Sequence, residues 1–362
     1  MPDLGFEKIH LADAHIVHGL EFPVAYKLVG EGSTRDIVEF LTKKGETGWF
    51  NDQVKLHGAI VLRDLGSTDP GTISEFIEAI GYSSGDKPFR QAGTTAKRTK
   101  LTDVITTANE GSPALYIDQH NEFSRFVQYP TKLFFACEKS TAEDGRTPIT
   151  HGGEYFDNLY REHRREVEGL GRRGLFMRQT WPYETPNKTS WSDFFCFGRY
   201  IDKEKDDLDT KKQKAEVLIK SYVSKSFFWD PHNNLVVDQH TDPIRVYKRP
   251  DGVEFPAFFN SIATYYSDYK ETYHDVYRKT SFLKYNDGEQ IPDEFLDEIL
   301  KASRDLAYPH TWKEGDIAIV DNYQVSHGRY PWKNGERTIL VSMWDTPDKP
   351  EYPVWNGTTE TK

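Results

Sequence analysis

Apolar and polar positions change rhythm along the chain. The unbroken apolar stretch HGAIVLRDL (58–66) reads as a buried strand. In TDPGTISEFIEAIG (68–81), Ile73, Phe76, Ile77 and Ile80 recur at helical spacing behind an Asp/Thr start, and Gly81 closes the helix. TKLFFACE (131–138) is a strand rich in aromatics. GEYFDNLYREHRREVEGLG (153–171) reads as one helix ending at glycine, and KAEVLIKSYVSK (214–225) as another. The pattern then shortens. NLVVDQHTDPIRVYKRPDGVEFPAFFN (234–260) consists of β-prone runs broken by Asp, Pro and Gly. PDEFLDEILKASRDLAY (292–308) is a helix with Pro292 at its first turn. GDIAIVDNYQVSHGRYPWKNGERTILVSMWD (315–345) reads as strand, loop, strand.

Strands at both ends with helices between them predict an α+β chain whose sheet closes late in the sequence. No internal repeat or low-complexity linker divides it. The expectation is a single domain over 1–362, with 172–233 as an insertion or lid. A hydrophobic fraction of 37% with 14% aromatics argues for a folded globule and against disorder. A net charge of −11 argues against a nucleic-acid partner, and the basic run REHRRE (161–166) reads as the solvated face of a helix. With only two cysteines, Cys137 and Cys196, a disulfide framework is excluded. The N-terminal stretch lacks the basic start and apolar core of a signal peptide, and no window has the roughly 20 apolar residues of a membrane span. A cytoplasmic location is expected.

The chemistry begins at YIDQHNEFSR (116–125). Residues i and i+2 of an extended segment share a face, so His120 and Glu122 can aim at one point. Alone, H-x-E is a weak signal that also fits an ion pair or a solvated loop. A third ligand is available at His327, in DNYQVSHGR. Two imidazoles and a carboxylate form a facial triad that leaves positions open on an octahedral iron. Arg337, ten residues later, offers a fork for the far carboxylate of a dicarboxylate that chelates the metal. Thr147, in EDGRTPIT, can add a hydroxyl. Each has a plainer reading: His327 as a loop histidine, Arg337 paired to a surface acid, Thr147 as a turn cap. The case rests on all of them occurring in order.

In that order they resemble the taurine dioxygenase-like (TauD/TfdA) superfamily of iron(II), 2-oxoglutarate-dependent oxygenases. Its pattern of H-x-D/E, G-x-T-P, distal histidine and following arginine is matched by His120-Asn121-Glu122, Gly145-Arg146-Thr147-Pro148, His327 and Arg337. TWKEGDIAIVDNYQVSHGRYPWKNGER, together with HGAIVLRD, FFACEKSTAEDGRTPI and FPAFFNS, is similar to the branch containing the syringomycin-pathway aspartate hydroxylase. The similarity covers about residues 55 to 345. It implies a distorted double-stranded β-helix, or jelly roll, flanked by helices. It also implies iron(II) on His120, Glu122 and His327, with 2-oxoglutarate and dioxygen as cosubstrates. The keto acid's 5-carboxylate is then met by Arg337 and Thr147, with Arg329 as the second choice of cation or a loop-ordering partner of Asp321. The retained Glu122 speaks against a halogenase.

The implied reaction is oxidation of an unactivated C–H bond by hydroxylation, desaturation or cyclisation. The implied substrate is a small amino acid or amino-acid-derived metabolite of secondary metabolism, free or tethered to a carrier protein. Asn121 and Phe123 are placed as pocket-lining neighbours of the ligands. Arg98 is a candidate for a substrate carboxylate, set against a surface ion pair, and His151 and His240 read as structural. Three rivals remain: a zinc hydrolase on the same ligands, a binding protein without turnover, and a triad-iron oxidase that does not use 2-oxoglutarate.

Overall fold

A computed structural model describes residues 3–96, 98–108, 110–184, 189–268, 270, 283–347 and 349–358. Two sheets form the centre. The larger has eight strands and runs Gly5–Ile9, Val24–Val29, Ala59–Arg63, Ile317–Asp321, Lys132–Ser140, Arg337–Asp345 and Lys87–Pro88, with Thr106–Thr107 also pairing with Arg337–Asp345. All its pairs are antiparallel except Val24–Val29 with Ala59–Arg63. The smaller runs Tyr308–His310, Thr147–His151, Val325–Arg329 and Ile117–His120, antiparallel throughout.

The apolar runs are continuous because both faces of the large sheet are covered. Phe135 and Cys137 point into the core shared with Ile149 and Val325 of the small sheet. Their neighbours Phe134 and Ala136 face the opposite way, onto Ile37, Leu41, Val54, Ile73 and Phe76 of three helices. Burying each of the larger side chains among these, the Ile, Leu, Val and Phe, is worth about 1.5–3 kcal/mol. This is the jelly roll flanked by helices.

Three helices differ from the sequence expectation. The helix Pro70–Ser83 starts as expected, with Asp69 accepting from the Thr72 N–H at 2.8 Å, but it runs past Gly81. Gly81 is an interior contact: a Cβ there would lie 2.5 Å from the Trp344 ring. The stretch read as one helix over 153–171 is two, Gly152–Glu162 and Arg164–Arg173, broken at His163, whose φ is −131° and ψ 44°. Around that break Arg164 and Arg172 pair with Glu168 on the surface, the solvated face expected of REHRRE. The helix expected over 214–225 begins earlier, at Leu208, and Leu208–Leu218 passes into a π-helical turn, Ile219–Val223.

The 172–233 stretch is rooted in the core. Trp181, Trp191, Phe197, Leu218 and Ile219 are buried in the cluster that fills the space between the sheets. Its first strand, Leu175–Trp181, pairs with Leu235–Thr241 and Leu283–Tyr285. Both cysteines are buried and unpaired. Among the described residues no helix is long and apolar enough to cross a membrane.

Candidate active site

His120 ends the strand Ile117–His120, and His327 lies directly opposite it on Val325–Arg329. Their ring centroids are 4.4 Å apart. Glu122 is not on the strand. It stands in the turn that follows, where Phe123 takes a φ of +55°. What aims Glu122 is a clamp of amides. The Asn322 side chain accepts from the Glu122 N–H at 2.8 Å and donates to the carbonyls of Glu122 and Pro130 at 2.9 and 2.8 Å. Asn121 donates to the Asn322 carbonyl at 2.8 Å and accepts from the Asn260 N–H at 3.0 Å. Asn121 is therefore turned into the clamp and away from the cavity it was expected to line.

His120 Nε2 and His327 Nε2 lie 3.8 and 3.6 Å from Glu122 Oε2. The three ligand atoms fall within 4.8 Å of one another. An ion about 2.1 Å from each of three perpendicular donors holds them about 3 Å apart, so a modest contraction closes the set. His120 Nδ1 donates to the Asp118 carbonyl at 3.0 Å, which frees the Nε2 lone pair. Burial and the neighbouring His327 push the His120 pKa down to about 4, leaving a neutral imidazole. Burial alone works against a charge on Glu122, but the Arg98 guanidinium leads the groups that outweigh it and hold the carboxyl well below its usual range. Arg98 Nη2 stands 3.1 Å from Glu122 Oε1 and leaves Oε2 to face the imidazoles. This donor set fits an iron(II) ion.

The same cavity, about 940 Å³, is bounded further in by Thr147, Arg329 and Arg337. The Arg337 guanidinium donates to the Gly145 carbonyl at 2.5 Å and to Thr147 Oγ1 at 3.1 Å. Trp312 Nε1 also donates to Thr147 Oγ1, at 2.9 Å. With both lone pairs occupied, the Thr147 O–H is left to donate elsewhere. Burial and nearby Arg329 push the Arg337 pKa down to about 10, so it remains a cation at neutral pH. Among the described residues no carboxylate pairs with it. A buried guanidinium without a counter-charge, beside a hydroxyl ready to donate, fits a carboxylate ligand.

Other expectations are relocated. Arg98 is no surface residue: its side chain is 9% exposed and committed to Glu122. Arg329 does not reach Asp321. It donates to the carbonyls of Ser112 and Leu115 at 2.7 and 3.1 Å, while Asp321 accepts from Tyr247 and Gln324. Phe123 does line the cavity. His151 caps the helix Gly152–Glu162 by accepting from the Gly153 N–H, and His240 pairs with Asn286. The segment 172–233 contributes Gln179, Thr180, Trp181, Pro182, Thr189 and Asp193 to the wall. Sequence reasoning missed Trp312, Asn322 and Arg125. The "DN" before the distal histidine was visible as part of the motif, but carried no indication that Asn322 grips the other ligand turn.

Two imidazoles and a carboxylate beside an uncompensated guanidinium define a non-haem iron(II), 2-oxoglutarate-dependent oxygenase. The chain belongs to the taurine catabolism dioxygenase TauD, TfdA family, whose sequence profile matches residues 23–344. Iron(II) and 2-oxoglutarate are its cofactors. It is similar to the clavaminate synthase-like protein At3g21360 of Arabidopsis thaliana, 24% identical over 306 residues that cover 83% of this chain and 86% of that protein. It is also similar to the dapdiamide synthesis protein DdaC of Enterobacter agglomerans, 23% identical over 309 residues, covering 82% and 83%. The PvcB (PA2255) protein from Pseudomonas aeruginosa overlies 94% of the chain with 95% of its own, at 14% identity and a TM-score of 0.48.

Proposed function

We propose that this oxygenase oxidises an unactivated C–H bond of a small amino acid or amino-acid-derived metabolite, free or carrier-tethered, in secondary metabolism. The motif similarity to the aspartate hydroxylase branch supports that substrate class, as does the likeness to a dapdiamide synthesis protein. His120, Glu122 and His327 hold the iron, Arg337 and Thr147 hold the 5-carboxylate of 2-oxoglutarate, and the 1–362 chain acts as one domain. The observation that carries this reading is Arg337: a buried cation whose hydrogen bonds go to Gly145 and Thr147 and to no acid among the described residues. A zinc hydrolase has no use for it.

With iron(II) held by His120, Glu122 and His327 and 2-oxoglutarate bound beside it, dioxygen would be the oxidant: 2-oxoglutarate would supply two electrons, leaving as succinate and carbon dioxide, and the substrate C–H bond the other two. The chain's own residues do the rest. The Asp118 carbonyl fixes the His120 tautomer, and Asn322 fixes the Glu122 backbone. Arg98 keeps one Glu122 oxygen occupied. Arg329 ties down the 112–115 loop beside the cavity, and Phe135 packs its ring 5.0 Å from that of His327, excluding water from that side. The test is a screen of amino acids for substrate-dependent succinate release with iron(II), ascorbate and 2-oxoglutarate. Acceleration by an amino acid or its derivative supports the reading. Release driven only by non-amino-acid compounds overturns the substrate class, and stimulation by zinc instead of iron overturns the chemistry.

A further inference from the structure

Four arginines face the cavity: Arg98, Arg125, Arg329 and Arg337. Arg98 is neutralised by Glu122. Arg337 is given to the cosubstrate under the reading above, and Arg329 donates to two loop carbonyls. Arg125 differs. It follows Glu122 by three residues and lines the same cavity as His120. Its Nε donates to Gln179 Oε1 at 3.0 Å. Its guanidinium carbon lies 4.6 Å from the Phe126 ring centroid and 4.8 Å from that of Tyr265. Among the described residues no carboxylate lies within ion-pair distance of it.

We propose that Arg125 is the substrate anchor, a guanidinium held between Phe126 and Tyr265 and oriented by Gln179 to receive a free carboxylate of the substrate beside the iron site. This rests on the proposed substrate class and sharpens it. Two rings and one amide restrict the side chain's rotamers before any ligand arrives, so little freedom is lost on binding. The Gln179 side chain is itself buried, at 8% residue exposure, which makes this a built position rather than a surface arginine. The remaining guanidinium nitrogens form a fork matched to a planar carboxylate. The consequence is chemical. A substrate tethered through its α-carboxyl as a thioester has lost that charge, so Arg125 favours a free acid, or a side-chain acid if the α-carboxyl is blocked.

The probes are the proteinogenic L-amino acids and their α-carboxamides. Binding is read by calorimetry under nitrogen on protein loaded with Mn(II) and 2-oxoglutarate, and KM by succinate release. The wild type is expected to prefer an acid over its amide by at least about tenfold, the discrimination a charge-assisted pair supplies. Within R125Q that ratio is expected to collapse towards one, and R125K to keep part of it. The proposal is overturned if R125Q retains the wild-type preference, or if the wild type binds amides or pantetheine thioesters that carry no side-chain carboxylate better than any acid. It is also overturned if no acid binds at all. Failure of the underlying reading shows separately, as wild-type protein that releases no succinate with iron(II) and 2-oxoglutarate under any condition.

Discussion

Arg98 Nη2 lies 3.1 Å from Glu122 Oε1, with both side chains more than nine-tenths buried. One oxygen of the carboxylate is thus held by a guanidinium while the other faces two imidazoles. Removing Arg98 leaves a buried carboxylate without its main counter-charge. R98L is expected to weaken iron(II) binding about 10–100-fold and to destabilise the metal-free protein by about 3–5 kcal/mol. Chelator competition and urea unfolding measure the two effects. R98K, which keeps the charge, is expected to lose less stability than R98L. Unchanged iron affinity in R98L would remove the positioning role.

At the far end of the cavity, R337M is expected to raise the KM for 2-oxoglutarate about a hundredfold, ~3 kcal/mol, because a charged hydrogen-bond donor is lost. T147V removes a single hydroxyl and is expected to cost about tenfold. Steady-state kinetics at saturating iron distinguish these from R329M. That variant is expected to act through the 112–115 loop, with a smaller change in the KM for 2-oxoglutarate.

Asn322 supplies three side-chain hydrogen bonds inside the core, two of them to the Glu122 backbone. N322A leaves the Glu122 N–H and two carbonyls unpaired and is expected to cost about 3 kcal/mol or more. It is also expected to weaken iron binding, since Glu122 loses the grip that aims it. Unfolding and metal titration on one preparation show whether both fall together. Loss of stability with intact iron affinity would separate the clamp from the site.

His151 gives a pH signature independent of the metal. Its Nδ1 accepts from the Gly153 N–H, and burial pushes its pKa down to about 3. The folded form therefore refuses a proton that the unfolded chain accepts near pH 6.5. Its stabilising contribution is complete above pH 6.5 and is lost as pH falls towards 3, at up to about 1.4 kcal/mol per pH unit. H151N keeps a capping acceptor without a titrating ring. Urea midpoints between pH 7 and 5 are expected to fall less steeply in H151N than in the wild type. Parallel slopes would contradict this.

The strands were legible because sheet burial on both faces writes itself as unbroken apolar runs such as LFFAC and IAIV. The spacing of His120 and Glu122 was legible, but its stated reason was incomplete. Glu122 lies beyond the strand and depends on Asn322, 200 residues away. Such partners carry no periodic signal. The same holds for Arg98 and Arg125: an arginine in a polar stretch looks alike whether it is solvated, paired with a ligand, or clasped by Phe126 and Tyr265. Gly81 was misread because a glycine inside a helix and one closing it differ only in what packs against them, here the Trp344 ring. The break at His163 was hidden by apolar spacing that continues across it.

The most direct test is anaerobic titration of the metal-free protein with iron(II) in the presence of 2-oxoglutarate, followed by visible absorption. The expected result is a weak charge-transfer band that saturates at one iron per chain and is abolished in H120A, E122A and H327A. A band that survives in E122A, or a wild-type protein that binds iron and keto acid without producing one, would contradict the convergence of these three side chains on a single iron.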